Sequence, residues 1–276
     1  MAIRVTANHA HVFPSSMKPE GTIERLLRLM DECGIEQTVC FPPFPHQCTP
    51  ENTSPGFYPS GWVAREIASR PRLLGFGTID FKAGDFRGQI RRVVELGLKG
   101  LKLHPNQQSF PIVSPQAFEV YGAAEEAGLF CTFHSGVHAS RLKDARVLDF
   151  DEVARNFPNL RFSMEHVGGY HFFNEALAVL FNNVPPPWEH GPCNVYGGLA
   201  SVFTQHQNRF WYLSPERIKE LIAQVGAKQC IFGLDFPFNL ERETKMGLET
   251  IASLGLTADD QALILGGNLR RLLAIA

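Results

Sequence analysis

Leu98-Lys99-Gly100-Leu101-Lys102-Leu103-His104-Pro105 opens a stretch that closes on Leu129-Phe130-Cys131-Thr132-Phe133-His134. Between the two runs, Pro115–Ala127 has a helical period and Gly128 supplies its stop. Two short apolar runs flanking one helix make a strand–helix–strand unit, the crossover that parallel strands require. Both runs alternate. Leu101 and Leu103 share one face, Lys102 and His104 the other; Leu129, Cys131 and Phe133 oppose Phe130, Thr132 and His134. The apolar faces suit packing against helices, which leaves the lysine and the histidines for the opposite side.

The same alternation runs outward in both directions. Upstream lie strand Ile3–Ala7, helix Thr22–Glu32 closed by Cys33-Gly34, strand Gln37–Phe41, helix Trp62–Ser69, strand Leu73–Ile79 and helix Phe86–Leu96. Downstream come helix Asp144–Asn156, strand Leu160–His166, helix Phe172–Phe181, strand Asn194–Leu199, helix Ser214–Val225 and strand Gln229–Leu234. Helices Glu243–Leu254 and Asp259–Leu265 follow, and Asn268 caps a last short one. Eight strands, each followed by a helix, predict an α/β chain folded as one (β/α)8 TIM barrel over residues 1–276. A doubly wound open sheet is the alternative. It would bring a glycine-rich phosphate turn after the first strand, where Asn8-His9-Ala10-His11 stands instead. Two loops, about 42–61 and 182–212, exceed routine connections and are expected over the C-terminal mouth.

Composition narrows the partners. The 26 Lys and Arg balance 28 Asp and Glu, which speaks against nucleic acid or an anionic membrane surface. The N-terminus has no apolar leader and no window is long enough to span a bilayer. The six cysteines, Cys33, Cys40, Cys48, Cys131, Cys193 and Cys230, are scattered and form no CxxC, so free thiols in a reducing cytoplasm are expected. A small-molecule substrate and a homodimer fit this chain.

Residue types that bind metals collect at one end of the strands. His9 and His11 end the first, Lys102 and His104 the fourth, His134 the fifth, His166 the sixth and Asp235 the eighth. All are C-terminal ends, where barrel enzymes carry their chemistry. Asp235 shares a face with Gly233 and Ile231, while Phe232 and Leu234 turn outward. Strands one and six fit the alternation less well, since their outward sets include Arg4, Thr6, Arg161 and Glu165. Several imidazoles with one carboxylate suit a borderline-soft divalent ion, zinc first, as one ion or two. Such an ion brings the pKa of bound water toward neutrality, and the placement reads as hydrolytic.

With Asn8-His9-Ala10-His11, the Gly100–Pro105 segment, His134, Glu165-His166-Val167-Gly168-Gly169, Phe232-Gly233-Leu234-Asp235-Phe236-Pro237 and the tail Ile264–Leu273 in view, the chain resembles the amidohydrolase superfamily. Within it, the chain is similar to the amidohydrolase-related group that includes the aminocarboxymuconate-semialdehyde decarboxylase relatives. The resemblance implies that His9, His11 and Asp235 hold the more buried metal, with His134 as a further ligand. It makes His166 either an acid/base beside one metal or a ligand to a second. Lys102 stands where two-metal members carry a bridging carboxylated lysine, and it equally suits a substrate carboxylate. His104, one step nearer the mouth, suits substrate contact or packing beside Pro105.

The expected activity is metal-dependent hydrolysis of a small amide, lactone or ester, with Asp235 taking the water proton and His166 stabilising the oxyanion. The alternative is non-oxidative decarboxylation of a small carboxylic acid; it ranks second because no arginine stands at a strand end to receive the carboxylate. A silent barrel that only binds a metabolite is the non-enzymatic reading, and the complete ligand set argues against it. His46, His138, His171, His190 and His206 read as solvated loop histidines, with His171 and His190 singled out for the pocket. Trp62, Trp188 and Trp211 flank the long loops, as packing or as an aromatic lid.

Overall fold

The structure, a computed structural model, describes residues 3–185 and 193–275. Its strands are β1 (Val5–His11), β2 (Ile35–Phe41), β3 (Leu73–Gly77), β4 (Gly100–Leu103), β5 (Phe130–His134), β6 (Phe162–Glu165), β7 (Val195–Leu199) and β8 (Cys230–Phe236). All pairings are parallel and in chain order, and β8 pairs back onto β1. That closure decides for the TIM barrel over the open sheet. The helices are α1 (Ile23–Cys33), α2 (Pro59–Ile67), α3 (Phe86–Glu95), α4 (Pro105–Gln108), α5 (Pro115–Glu126), α6 (Asp149–Asn156), α7 (Gly169–Asn182), α8 (Pro215–Val225), α9 (Glu241–Ser253), α10 (Ala258–Ala262) and α11 (Asn268–Leu273). None is long and apolar enough to cross a membrane.

Local chemistry explains most boundaries. Thr22, Ser114 and Ser214 cap α1, α5 and α8, each accepting a backbone N–H from the first turn, and Pro115 and Pro215 occupy first helical positions. Pro59 does the same for α2, so that helix starts ahead of the expected Trp62. The helix expected over Asp144–Asn156 is split: a 3-10 turn spans Leu142–Ala145, and Arg146 is extended before α6.

Two apolar layers result. Outward residues such as Leu101, Leu103, Cys131, Phe133, Phe162, Met164, Phe232 and Leu234 pack with the helices in one large core. Inside the barrel, Val39, Phe41, Phe76, Phe130, Tyr196 and Ile231 form a second cluster with Leu269, Leu272 and Leu273. The C-terminal helix α11 thus packs against residues of the barrel interior. Arg270 ties it to β1, donating to the Arg4 carbonyl (2.7 Å) and Thr6 Oγ1 (2.8 Å).

The two strands that resisted alternation both have a backbone that breaks it. In β1 the pairing register shifts between Ala7 and Ala10, and His9 has φ +69°. The phase changes there, so Thr6 and Asn8 point inward before the bulge, and His9 and His11 point inward after it. At the end of β6, His166 has φ +65° and Val167 φ +47°. Ser163 and Glu165 face the interior, and the left-handed turn brings His166 in as well. The sequence reading of Glu165 as outward is therefore wrong: it is fully buried among Asn8, His9 and Ser163.

Candidate metal centre

β1 and β8 meet at the mouth and bring three ligand atoms together. His9 Nε2 lies 3.2 Å from His11 Nε2 and 3.3 Å from Asp235 Oδ1, and His11 Nε2 lies 3.8 Å from Asp235 Oδ1. His9, His11 and Asp235 form the one group of three such residues found among those described. Ligands about 2.05 Å from a tetrahedral zinc stand roughly 3.3 Å apart, so two of the three separations already match that edge. His134, from β5, is outside this tight group, yet its Nε2 is buried and has no hydrogen-bond partner. An orphaned imidazole nitrogen beside two others and a carboxylate fits a divalent ion.

The partners of the other ring atoms aim these groups. His9 Nδ1–H donates to Glu165 Oε2 at 2.9 Å, which leaves Nε2 with its lone pair toward the centre. Asp235 Oδ2 accepts from Ser201 Oγ, which in turn accepts from Asn239 Nδ2 at 2.9 Å; Oδ1 is left facing the histidines. His166 Nδ1–H donates to the Ala200 carbonyl at 2.7 Å. His104 Nδ1 accepts the Gln107 N–H as the cap of α4. Lys102 Nζ donates to His9 Nε2 at 3.1 Å and sits 5.2 Å from the centre of the Phe41 ring.

Burial dominates the electrostatics. It holds His9, His11, His104 and His134 well below the ordinary imidazole value and brings His166 down to about 4. It lowers Lys102 to about 8 and pushes Asp235 up to about 6. Neutral imidazoles with free lone pairs are what metal binding needs.

A cavity of about 340 Å³ opens over the centre, and its lining contains every expected site residue: His9, His11, Lys102, His104, His134, His166 and Asp235. Phe44 from the 42–61 loop and Trp211 from the 182–212 segment also line it. A larger groove of about 700 Å³ lies beside the mouth against residues 48–59; no histidine lines it.

Sequence reasoning missed His138, Asn8 and Ser201, and left Trp211 open between packing and a lid. His138, read as solvated, is half-buried and edge-on to the stacked pair His104 and His134, whose centroids are 4.0 Å apart. Trp211 stacks on His166 at 4.8 Å and donates to the Val137 carbonyl at 3.0 Å, so it roofs the site. Asn8 and Ser201 carried no signal beyond their neighbours. His171, singled out for the pocket beside its default reading as a loop histidine, packs on Tyr170 and does not line the cavity, and Trp62 packs on Phe57. His190 and Trp188 lie outside the described residues.

An HxH pair, two further histidines and an aspartate, all at C-terminal strand ends of a closed barrel, agree with the family comparison, in which the amidohydrolase model matches residues 54–275. The chain belongs to the amidohydrolase family. This amidohydrolase is 24% identical over 242 residues to the 2-amino-3-carboxymuconate-6-semialdehyde decarboxylase of Dictyostelium discoideum, covering 76% of this chain and 64% of that protein. The match thus spans under two thirds of the relative's length. The 5-carboxyvanillate decarboxylase from Sphingomonas paucimobilis shares the fold with a TM-score of 0.73 at 16% identity, over 100% of both chains. A dihydroxybenzoic acid decarboxylase from Polaromonas, solved with manganese and 2-nitroresorcinol, gives 0.71 at 14% identity over 99% of this chain and 97% of that one. Structural likeness at these identities fixes the barrel and leaves the reaction to the site.

The expectation of an amide, lactone or ester hydrolase is corrected by these relatives. The curated relative and both solved structures are named decarboxylases, which favours the reading that ranked second. The argument against it, a missing strand-end arginine, gave too little weight to Lys102, which the fold buries beside the ligands.

Proposed function

We propose that this chain is a metal-dependent, non-oxidative decarboxylase of a small planar carboxylic acid. The observation that carries the reading is the cavity itself: aromatic walls from Phe44, Phe238 and Trp211 stand over the His9, His11 and Asp235 cluster, with one ammonium, Lys102, at its floor. Flat walls suit a ring or conjugated system, and a buried cation suits its carboxylate. The decarboxylase relative supports the same chemistry.

His9, His11 and Asp235, with His134, would hold one ion, zinc or manganese. When bound, the ion supplies a Lewis acid that fixes substrate oxygens and takes up developing negative charge. Lys102 Nζ serves as the cation for the carboxylate, in preference to a carbamate bridge, because no other Lys or Arg among the described residues lines this cavity. As the carbon–carbon bond breaks, its electron pair stays on the ring or alkene carbon and CO2 departs. That carbon then takes a proton. His166 Nε2 faces the cavity, its other nitrogen being tied to Ala200, and is the atom proposed to deliver it. Burial makes an imidazolium there a strong acid, so a proton drawn in beside the substrate anion is readily given up. Trp211, stacked on His166, shields that transfer from water. The free buried thiols Cys40, Cys131 and Cys230 are consistent with a reducing, cytoplasmic setting.

The test is product analysis in deuterated buffer, with manganese- or zinc-loaded protein and a panel of planar acids that includes 2,6-dihydroxybenzoate and 5-carboxyvanillate. The expected product has lost its carboxyl group as CO2 and carries one deuterium at the vacated carbon. Addition of water to a substrate without CO2 release would contradict the reading.

A further inference from the structure

Glu165 is a fully buried carboxylate that is absent from the lining of the cavity over the centre and stands behind His9. Its oxygens are saturated by three donors. Oε2 accepts His9 Nδ1–H at 2.9 Å; Oε1 accepts Ser163 Oγ at 2.6 Å and Asn8 Nδ2 at 2.9 Å. Asn8 is itself held by Thr132 Oγ1 at 3.1 Å. Three strands therefore supply residues whose common purpose is to fix one carboxylate against one imidazole. A fourth strand makes room. Gly198 of β7 is the register partner of Glu165, and a Cβ there would stand 2.3 Å from Glu165 Cδ and 2.4 Å from Oε1. Any side chain at 198 would displace the carboxylate.

We infer that Glu165 is a positioning residue for the metal: it locks His9 in the tautomer that turns Nε2 toward His11 and Asp235, and its charge makes that nitrogen a better donor. A histidine ligand whose far N–H meets a carboxylate is fixed in orientation and more basic, and loss of such a partner weakens metal binding by roughly 10- to 100-fold. Glu165 does not line the cavity over the centre, and its hydrogen bond to the ligand set is the one to His9 Nδ1. The sequence reading had placed it on the outer face, with no role.

The inference rests on the metal-site half of the proposed function, and its test needs no substrate. Zinc and manganese affinities of the full chain are measured by competition with a chromophoric chelator, alongside the melting midpoint of the metal-free protein. Glu165→Gln keeps the shape and removes the charge; it is expected to weaken both metals about 10- to 100-fold while the metal-free midpoint changes little. Gly198→Ala keeps the charge and moves the carboxylate, and a loss in the same direction is expected. In the metal-free native chain, nitrogen NMR should show His9 protonated at Nδ1. Metal binding as tight as native in folded Glu165→Gln and Gly198→Ala would overturn the inference. So would a native His9 protonated at Nε2, whether or not either variant folds. A chain that binds metal normally and releases no CO2 from any acid would sink the decarboxylase reading and leave this one standing.

Discussion

Three residues at the heart of the site, His9, His166 and Asp235, hold positive φ values of +69°, +65° and +59°. Each such placement costs about 1–3 kcal/mol for a residue with a side chain, and it persists because the surrounding barrel over-determines it. Asp235 adds the burden of a buried carboxyl near neutral imidazoles. Asp235→Asn, which tolerates the left-handed region, should therefore leave the metal-free protein as stable or more so, while metal affinity drops by more than roughly the 100-fold expected from losing an outer partner. Thermal melting and chelator competition on the same samples would check both halves. His166→Asn should retain native metal content and lose about 100- to 10,000-fold in decarboxylation rate, the usual worth of a positioned acid. The left-handed geometry also marks where the sequence could and could not be read. Lys102, His104 and His134 sit on or just beyond strands of regular period two, so alternation alone put them inside. Asn8 and Glu165 sit next to a break in that period. Nothing in the identities of His9 or His166 announces a positive φ, and the phase change was invisible.

Among the elements, β4 and its neighbours show how tightly the barrel wall is specified. A Cβ on Gly100 would stand 2.1 Å from the Phe130 carbonyl oxygen and 2.8 Å from the Phe76 ring. Backbone cannot move aside as a flexible side chain can, so Gly100→Ala should cost about 3 kcal/mol or more, or prevent folding. Gly128, the stop of α5, has φ +67° with open space around it, and Gly128→Ala should cost only about 1–2 kcal/mol, the left-handed penalty alone. Chemical denaturation midpoints for the pair would separate a packing effect from a backbone effect; equal losses would contradict the assignment. Gly100 was legible as part of a strand, but the reason for a glycine there lies on β3 and β5. The same holds for Gly198, which with Gly197 blurred β7 in the sequence and makes sense only beside Glu165. Helix starts fared better, since Ser, Thr and Pro signal them locally. The turn α4 was not foreseen because Pro105 was read as a strand stop, whereas it also begins a helix capped by His104.

At the scale of the whole molecule, closure of the sheet gathers groups from five strands into one dry centre, with consequences for stability. Six imidazoles, His9, His11, His104, His134, His138 and His166, are held below their usual pKa by burial. The unfolded chain protonates them near about 6.5, so below that pH it binds more protons than the folded one. Asp235 and Glu165, both raised by burial, act in the opposite sense, but two carboxyls do not offset six imidazoles. Through these imidazoles the metal-free protein should lose stability progressively as the pH falls from about 6.5 toward about 5, while Lys102, lowered to about 8, adds stability only as the pH rises from there toward the ordinary lysine value. Melting midpoints that stay level as the pH drops over that interval would show the imidazoles to be solvated. The eightfold alternation that specified the barrel was plain in the sequence. The role of the C-terminal helix in the barrel's inner cluster was not, because Leu269, Leu272 and Leu273 find their partners on strands far away in the chain.

Metal-dependent loss of CO2 at this mouth is tested most directly by stripping and reloading the protein. CO2 release from the most active acid of the panel is followed as zinc or manganese is titrated into chelator-treated chain. Release should be absent without metal and return in proportion to bound metal, levelling at one ion per chain. Full release from the stripped protein, or none from any acid at full loading, would contradict it.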